Sequence, residues 1–168
     1  LMKFQNIGGA TGILEHDGIK ILFDPWLDEG IYHGAWHHFP PTNVSLEELP
    51  EIDYIYISHI HEDHCSLKTL QSLNKTAEII ILDNDPNYVL KFLKGNEGLD
   101  FKKIHMLKEK TPTIIGGIEF TMLMPNPSHE MSYLIDSMLA IKWDGHVIFN
   151  GNDCRPHADT FKYLKDNY

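Results

Sequence analysis

Three histidines and two acids stand within six residues, in the run Ser58-His59-Ile60-His61-Glu62-Asp63-His64, directly behind the apolar segment Asp53–Ser58. That arrangement constrains the chain more than any other feature. An apolar, β-branched stretch reads as a buried strand, and open α/β sheets place their sites where such strands end. A His-X-His pair at a strand tip can aim both rings at one ion, and Asp63 with His64 on the following turn can reach a second beside it. Imidazole nitrogen and carboxylate oxygen are the donors that zinc and iron prefer. A polar loop that is histidine-rich by chance is the weaker reading at this spacing.

The rest of the chain supplies a mixed α/β frame. Lys3–Ile7, Ile13–His16 and Ile19–Phe23 read as strands, the last two joined by the hairpin signal Asp17-Gly18. Asp24-Pro25-Trp26 ends the third strand, because proline cannot continue a ladder. Residues 27–45 read as an irregular loop, closed by a one-turn capping box at Ser45 and Glu48. Ser66 should cap a short helix to Leu73, and Glu78–Leu82 reads as a buried parallel strand. A helix is expected from Asp85-Pro86 to about Lys94, then strands at Ile104–Leu107, Thr113–Ile115, Ile118–Met124, Ser132–Trp143 and His146–Asn150. The last two flank Asp144-Gly145, and a final helix follows over His157–Asp166. The 168 residues suit one domain, 1–168, with no linker, repeat or membrane-spanning apolar run.

Charge narrows the partners. Acidic residues outnumber basic ones 24 to 14, giving a net charge of −10, which disfavours a nucleic-acid surface. Two cysteines, Cys65 and Cys154, cannot build a disulfide framework and point to a reducing, cytoplasmic setting. Both read as buried fillers rather than metal ligands. Arg155, the sole arginine, is suited to hold a substrate carboxylate or phosphate, with a structural ion pair as the alternative. In the 27–45 loop His33, His37 and His38 stand beside aromatic residues. His37 is taken as a substrate contact and the others as solvated loop residues. His16, His105 and His146 read as structural. The Gly8-Gly9-X-X-Gly12 turn precedes a strand rather than a helix, so it is not read as a phosphate loop.

His59-X-His61-X-Asp63-His64 behind a hydrophobic strand resembles the signature of the metallo-β-lactamase superfamily, and the Gly8–Gly12 turn, His129 and Asp153 follow the same order. The resemblance covers nearly the whole chain and implies an αββα four-layer sandwich. It implies that His59, His61 and His129 bind one ion, that Asp63 and His64 bind a second, and that Asp153 bridges them. Asp24-Pro25-Trp26-Leu27, His129-Glu130-Met131 and Asn152-Asp153-Cys154-Arg155-Pro156 are similar to the metallo-β-lactamase-like domain of CMP-N-acetylneuraminate hydroxylases and bacterial relatives. Those hydroxylases also carry a Rieske domain, for which two cysteines cannot supply the two Cys-X-His segments.

The superfamily's last histidine ligand has no counterpart here. Only fifteen residues follow Asp153, and His157 among them lies too close in sequence. Either the chain is a fragment lacking the last strand-helix unit, or its second metal position is weak or absent. The expected function is a metal-dependent hydrolase using one or two Zn²⁺ or Fe ions, with Asp63 orienting water or taking its proton. Its substrate would be a small molecule, anionic or sugar-derived. The alternatives are an iron oxygenase component served by a separate Rieske or electron-transfer partner, and a non-catalytic metal-binding domain.

Overall fold

A hairpin begins the chain because Asp17 and Gly18 both adopt positive φ (49° and 82°), the backbone twist that a two-residue β-turn requires. In the computed structural model, which describes residues 1–126 and 135–168, this hairpin joins β2 (Thr11–His16) to β3 (Ile19–Phe23), and β1 (Lys3–Gly8) pairs antiparallel with β2. Parallel pairing then takes over. β4 (Tyr54–Tyr56) lies beside β3, β5 (Glu78–Leu82) beside β4, and the six-stranded sheet runs β1-β2-β3-β4-β5-β6, with β6 at Lys103–Leu107. The second sheet, ordered β10-β9-β8-β7, is antiparallel throughout. It is built from β7 (Thr113–Ile115), β8 (Ile118–Leu123), β9 (Met138–Trp143) and β10 (His146–Asn150). The fold is mixed α/β, as the sequence leads one to expect.

The chain forms two compact units. The first holds Leu1–Ile81 and Tyr88–His105, the second Leu82–Asn87 and Met106–Tyr168. Within the first, Ile55, Ile79 and Ile81 of the parallel strands, with Ile57 just beyond β4, pack with Leu70 and Leu73, and with Val89 and Leu93. These last four come from or adjoin the helices α2 (Leu67–Ser72) and α3 (Tyr88–Gly95). Parallel strands are covered on their faces, which is why β4 and β5 read as almost unbroken apolar runs. In the second unit Leu123, Met138 and Cys154 form a small core, against which Tyr163 and Leu164 of α4 (Ala158–Asn167) pack.

Two elements differ from the sequence reading. The helix expected from Asp85-Pro86 begins at Tyr88. Asn87 instead turns its side chain back to donate to the Leu82 carbonyl at 2.8 Å, which closes a turn ahead of the helix. The strand expected from Ser132 begins at Met138, and residues 135–137 precede it outside any strand. Residues 127–134, His129 among them, lie outside the described residues. Among the described residues no helix is long and apolar enough to cross a membrane.

Ser66 caps α2 as expected, accepting from Thr69 N at 3.2 Å, and it does more. Its hydroxyl donates to the Asp28 carboxylate, and Thr69 Oγ1 donates to the same oxygen at 2.8 Å. Leu27 N in turn donates to Thr69 Oγ1 at 2.9 Å. The start of α2 is thereby clipped to the segment that leaves β3. Ser66→Ala is expected to lower stability by about 1–2 kcal/mol, read as a lower urea midpoint with an unchanged slope. An unchanged midpoint would show that the cap carries no such load.

Candidate metal centre

The parallel strands β3 and β4 end side by side, and their ends hold one buried hydrogen-bonded group. Asp24, the residue after β3, is fully buried and takes a positive φ of 42°. Its amide donates to Tyr56 O at 2.9 Å, and Thr11 Oγ1 donates to its carbonyl at 2.7 Å. The bend therefore fixes where the carboxylate goes. Ser58 N donates to Oδ1 at 2.7 Å, and Ser58 Oγ donates to Oδ2 at 2.9 Å. His64 Nδ1 lies 3.0 Å from Oδ2. Burial raises the Asp24 pKa above the usual carboxylate range, while the His64 and Ser58 contacts pull it down.

That network sets the two histidines. His64 Nδ1 is engaged by Asp24, which directs Nε2 away from the buried carboxylate. His59 Nδ1 lies 2.9 Å from Ser58 Oγ, so its Nε2 also faces outward, 2.8 Å from His61 Nδ1. Burial, with the neighbouring His64 and His61 rings, pushes His59 down to about 3 and keeps it neutral, the form that binds metals. Second partners that occupy the back nitrogen of a ligating imidazole fix its tautomer and orientation. The turn that carries them is closed by His64 N and Cys65 N, both donating to His61 O at 2.9 and 2.8 Å.

Asp63 completes the cluster within this unit. Its Oδ2 lies 3.5 Å from His64 Nε2, and its Oδ1 accepts from the Tyr32 hydroxyl at 2.7 Å. Burial and that contact push the Tyr32 phenol up to about 12. Imidazole nitrogens and a carboxylate oxygen, with His59, His64 and Asp63 each engaged at one atom by Ser58, Asp24 and Tyr32, form a donor set that fits a divalent ion. His59, His61, Asp63 and His64 are the residues of this unit that could hold one.

Asp153 and Arg155 belong to the second unit, both exposed, in the turn after β10. There Asn152, at φ 39°, donates through Nδ2 to Ser137 O at 2.7 Å and accepts from Asp153 N at 2.8 Å. His37, on the exposed loop, bonds Glu29 Oε2 at 2.9 Å and Gly34 O at 3.2 Å. His38 stacks on Trp26 with ring centroids 3.8 Å apart. His105 pairs with Glu78 at 2.6 Å. Cys65 is buried in the first core, where burial and Asp24 push its thiol well above the usual range.

Three residues that organise the cluster carried no role in the sequence reading. Asp24 ends a strand in the sequence and opens the Asp24-Pro25-Trp26-Leu27 segment of the family resemblance, without a place in the site, although an acid directly behind an apolar run is itself a signal. Ser58 was named in the histidine run without a function. Tyr32 is thirty-one residues from Asp63, and no local pattern points to it.

Residues 20–148 match the beta-lactamase superfamily domain, and the chain belongs to that family. Its curated relatives include the cytidine monophosphate-N-acetylneuraminic acid hydroxylase of Danio rerio, 32% identical over 144 residues, which cover 82% of this chain and 23% of the relative. The chain spans about a quarter of the length of the curated relatives it matches. Among solved structures, CmlA, a diiron β-hydroxylase from Streptomyces venezuelae, is similar with a TM-score of 0.72 at 18% identity, over 99% of this chain and 32% of that one. An isothiocyanate hydrolase from Delia radicum gut bacteria gives 0.72 at 20% identity, over 96% and 66%. The expected metallo-β-lactamase fold is the fold of this chain.

Because Asp24 orients His64, Asp24→Asn is expected to weaken zinc binding about 10–100-fold in a chelator competition. Equal affinity in the two proteins would remove Asp24 from the site.

Proposed function

We propose that this chain is the catalytic metal-binding domain of a metal-dependent hydrolase acting on a small molecule, anionic or sugar-derived. The observation that supports it best is the orientation of His59 and His64, whose Nδ1 atoms are engaged by Ser58 and Asp24 while their Nε2 atoms lie against the other candidate donors, His61 and Asp63. His59, His61 and His129 would hold one Zn²⁺ or Fe ion, Asp63 and His64 a second, and Asp153 would lie between them. Such an ion, when bound, lowers the pKa of water toward about 7 and polarises a carbonyl or phosphoryl oxygen.

The chain's own residues would do the rest. Asp63, with Oδ1 engaged by Tyr32, would orient the attacking water or take its proton. Arg155 would hold an anionic substrate group through two parallel hydrogen bonds, and His37 would contact substrate from the loop. The proposal treats residues 1–168 as one functional domain. The protein would reside in the cytoplasm, consistent with Cys65 and Cys154 being buried thiols outside any disulfide.

A second reading is supported by the identity to the Danio rerio hydroxylase. An oxygenase component would need two electrons from outside for each hydroxylation, and so a separate Rieske or other electron-transfer partner. Elemental analysis of protein purified without added metal, beside His61→Ala, tests both. The hydrolase reading expects bound metal in the wild type, its loss in the variant, and oxygen-independent cleavage of an ester, amide or phosphodiester. Retained iron with oxygen-dependent turnover would replace it by the oxygenase. Negligible metal in both proteins would overturn the site itself.

A further inference from the structure

Three donors of the histidine turn are each held at one polar atom by a neighbouring residue. His59 is held at Nδ1 by Ser58, His64 at Nδ1 by Asp24, and Asp63 at Oδ1 by Tyr32. The first two partners sit at the strand ends that carry the turn. Tyr32 comes from the loop beyond β3, in the helical turn α1 (Ile31–Gly34), and it reaches the histidine turn twice. Its hydroxyl donates to Asp63 Oδ1 at 2.7 Å, and its amide donates to Glu62 Oε2 at 2.6 Å.

Nothing in α1 itself favours that placement. Tyr32 and His33 both sit in the left-handed region, at φ 50° and 59°, between Gly30 and Gly34 at 78° and 87°. Side chains other than glycine avoid that region, and such a conformation persists where the surroundings over-determine it. The surroundings here are specific. Ile31 is buried, Gly34 N and Trp36 N close the turn onto Gly30 O and Ile31 O, and the Tyr32 ring meets the Trp36 ring edge-on at 5.2 Å. The turn thus delivers one phenol to one carboxylate oxygen. Asp63 Oδ2 is left 3.5 Å from His64 Nε2, so a carboxylate oxygen and an imidazole nitrogen converge.

We infer that Tyr32 is a positioning residue for the metal centre, holding Asp63 so that Oδ2 and His64 Nε2 face one ion. This rests on the metal-binding reading above. Tyr32 acts through Asp63 and supplies no ligand itself. A loop outside the histidine run thereby sets the affinity of the ion that Asp63 and His64 share.

The test is a double-mutant cycle read by zinc affinity. Tyr32→Phe keeps the ring against Trp36 and removes only the hydroxyl. In chelator competition it is expected to raise the zinc dissociation constant about 10–100-fold. In an Asp63→Asn background the same substitution is expected to add nothing, because coupled residues are non-additive where each acts through the other. The absorption spectrum of the Co²⁺-loaded protein should shift in Tyr32→Phe and not between the two proteins that carry Asp63→Asn. Unchanged zinc affinity in Tyr32→Phe, or an equal loss in both backgrounds, would overturn the inference while leaving the metal site standing. A wild type that binds neither zinc nor cobalt would instead remove the metal-site reading on which the inference rests.

Discussion

A carboxylate with no solvent exposure must be satisfied by its neighbours, and among the described residues Asp24 takes its side-chain partners from Ser58 and His64, beyond the end of β4. Leaving such a group unpaired costs on the order of several kcal/mol, so the bend at Asp24, the start of the Ser58 turn and the rotamer of His64 are fixed together. Thr11 extends the same constraint, because its hydroxyl donates to Asp24 O and accepts from Trp26 N at 3.0 Å. The opening hairpin, the parallel strand ends and the histidine turn are therefore one hydrogen-bonded unit. His59 and His64 take their orientation from it, each at Nδ1.

The loop after β3 is organised from the same side. Asp28 receives Ser66 and Thr69, Glu62 and Asp63 receive Tyr32, and Glu29 receives both the His37 ring and the His38 amide. Four acids thus hold a segment that has little regular structure of its own. Two consecutive left-handed residues cost about 1–2 kcal/mol each, and these contacts are what offset it. The excess of acids that disfavours nucleic acid has a structural use here, as acceptors for backbone and hydroxyl donors.

Sequence patterns made most of the fold legible where the information is local. Asp17-Gly18 and Asp144-Gly145 both form the turns they announce, and Ser66 caps the helix it precedes. The β-branched run before His59 forms a buried parallel strand, because its residues must be covered on both faces. Legibility fails where a distant partner decides. Pro86 suggests a helix start, yet the Asn87 side chain turns back to Leu82 O and delays it to Tyr88. Asp24 looks like a strand terminator until Ser58 and His64 arrive from 34 and 40 residues further on. Tyr32 looks like any loop aromatic until the turn at Gly30 and Gly34 aims it. The donors themselves were legible as a cluster because imidazole and carboxylate chemistry at strand-end spacing has few other uses.

X-ray absorption at the zinc edge, on protein loaded with Zn²⁺, tests the central claim most directly, because it reports the donor atoms themselves. The account predicts a shell of nitrogen and oxygen donors at about 2.0–2.2 Å, with the outer-shell scattering of imidazole rings. A sulfur shell at about 2.3 Å would assign the ion to Cys65 or Cys154 instead, and a spectrum of hydrated zinc without imidazole scattering would show that His59, His61 and His64 hold no metal.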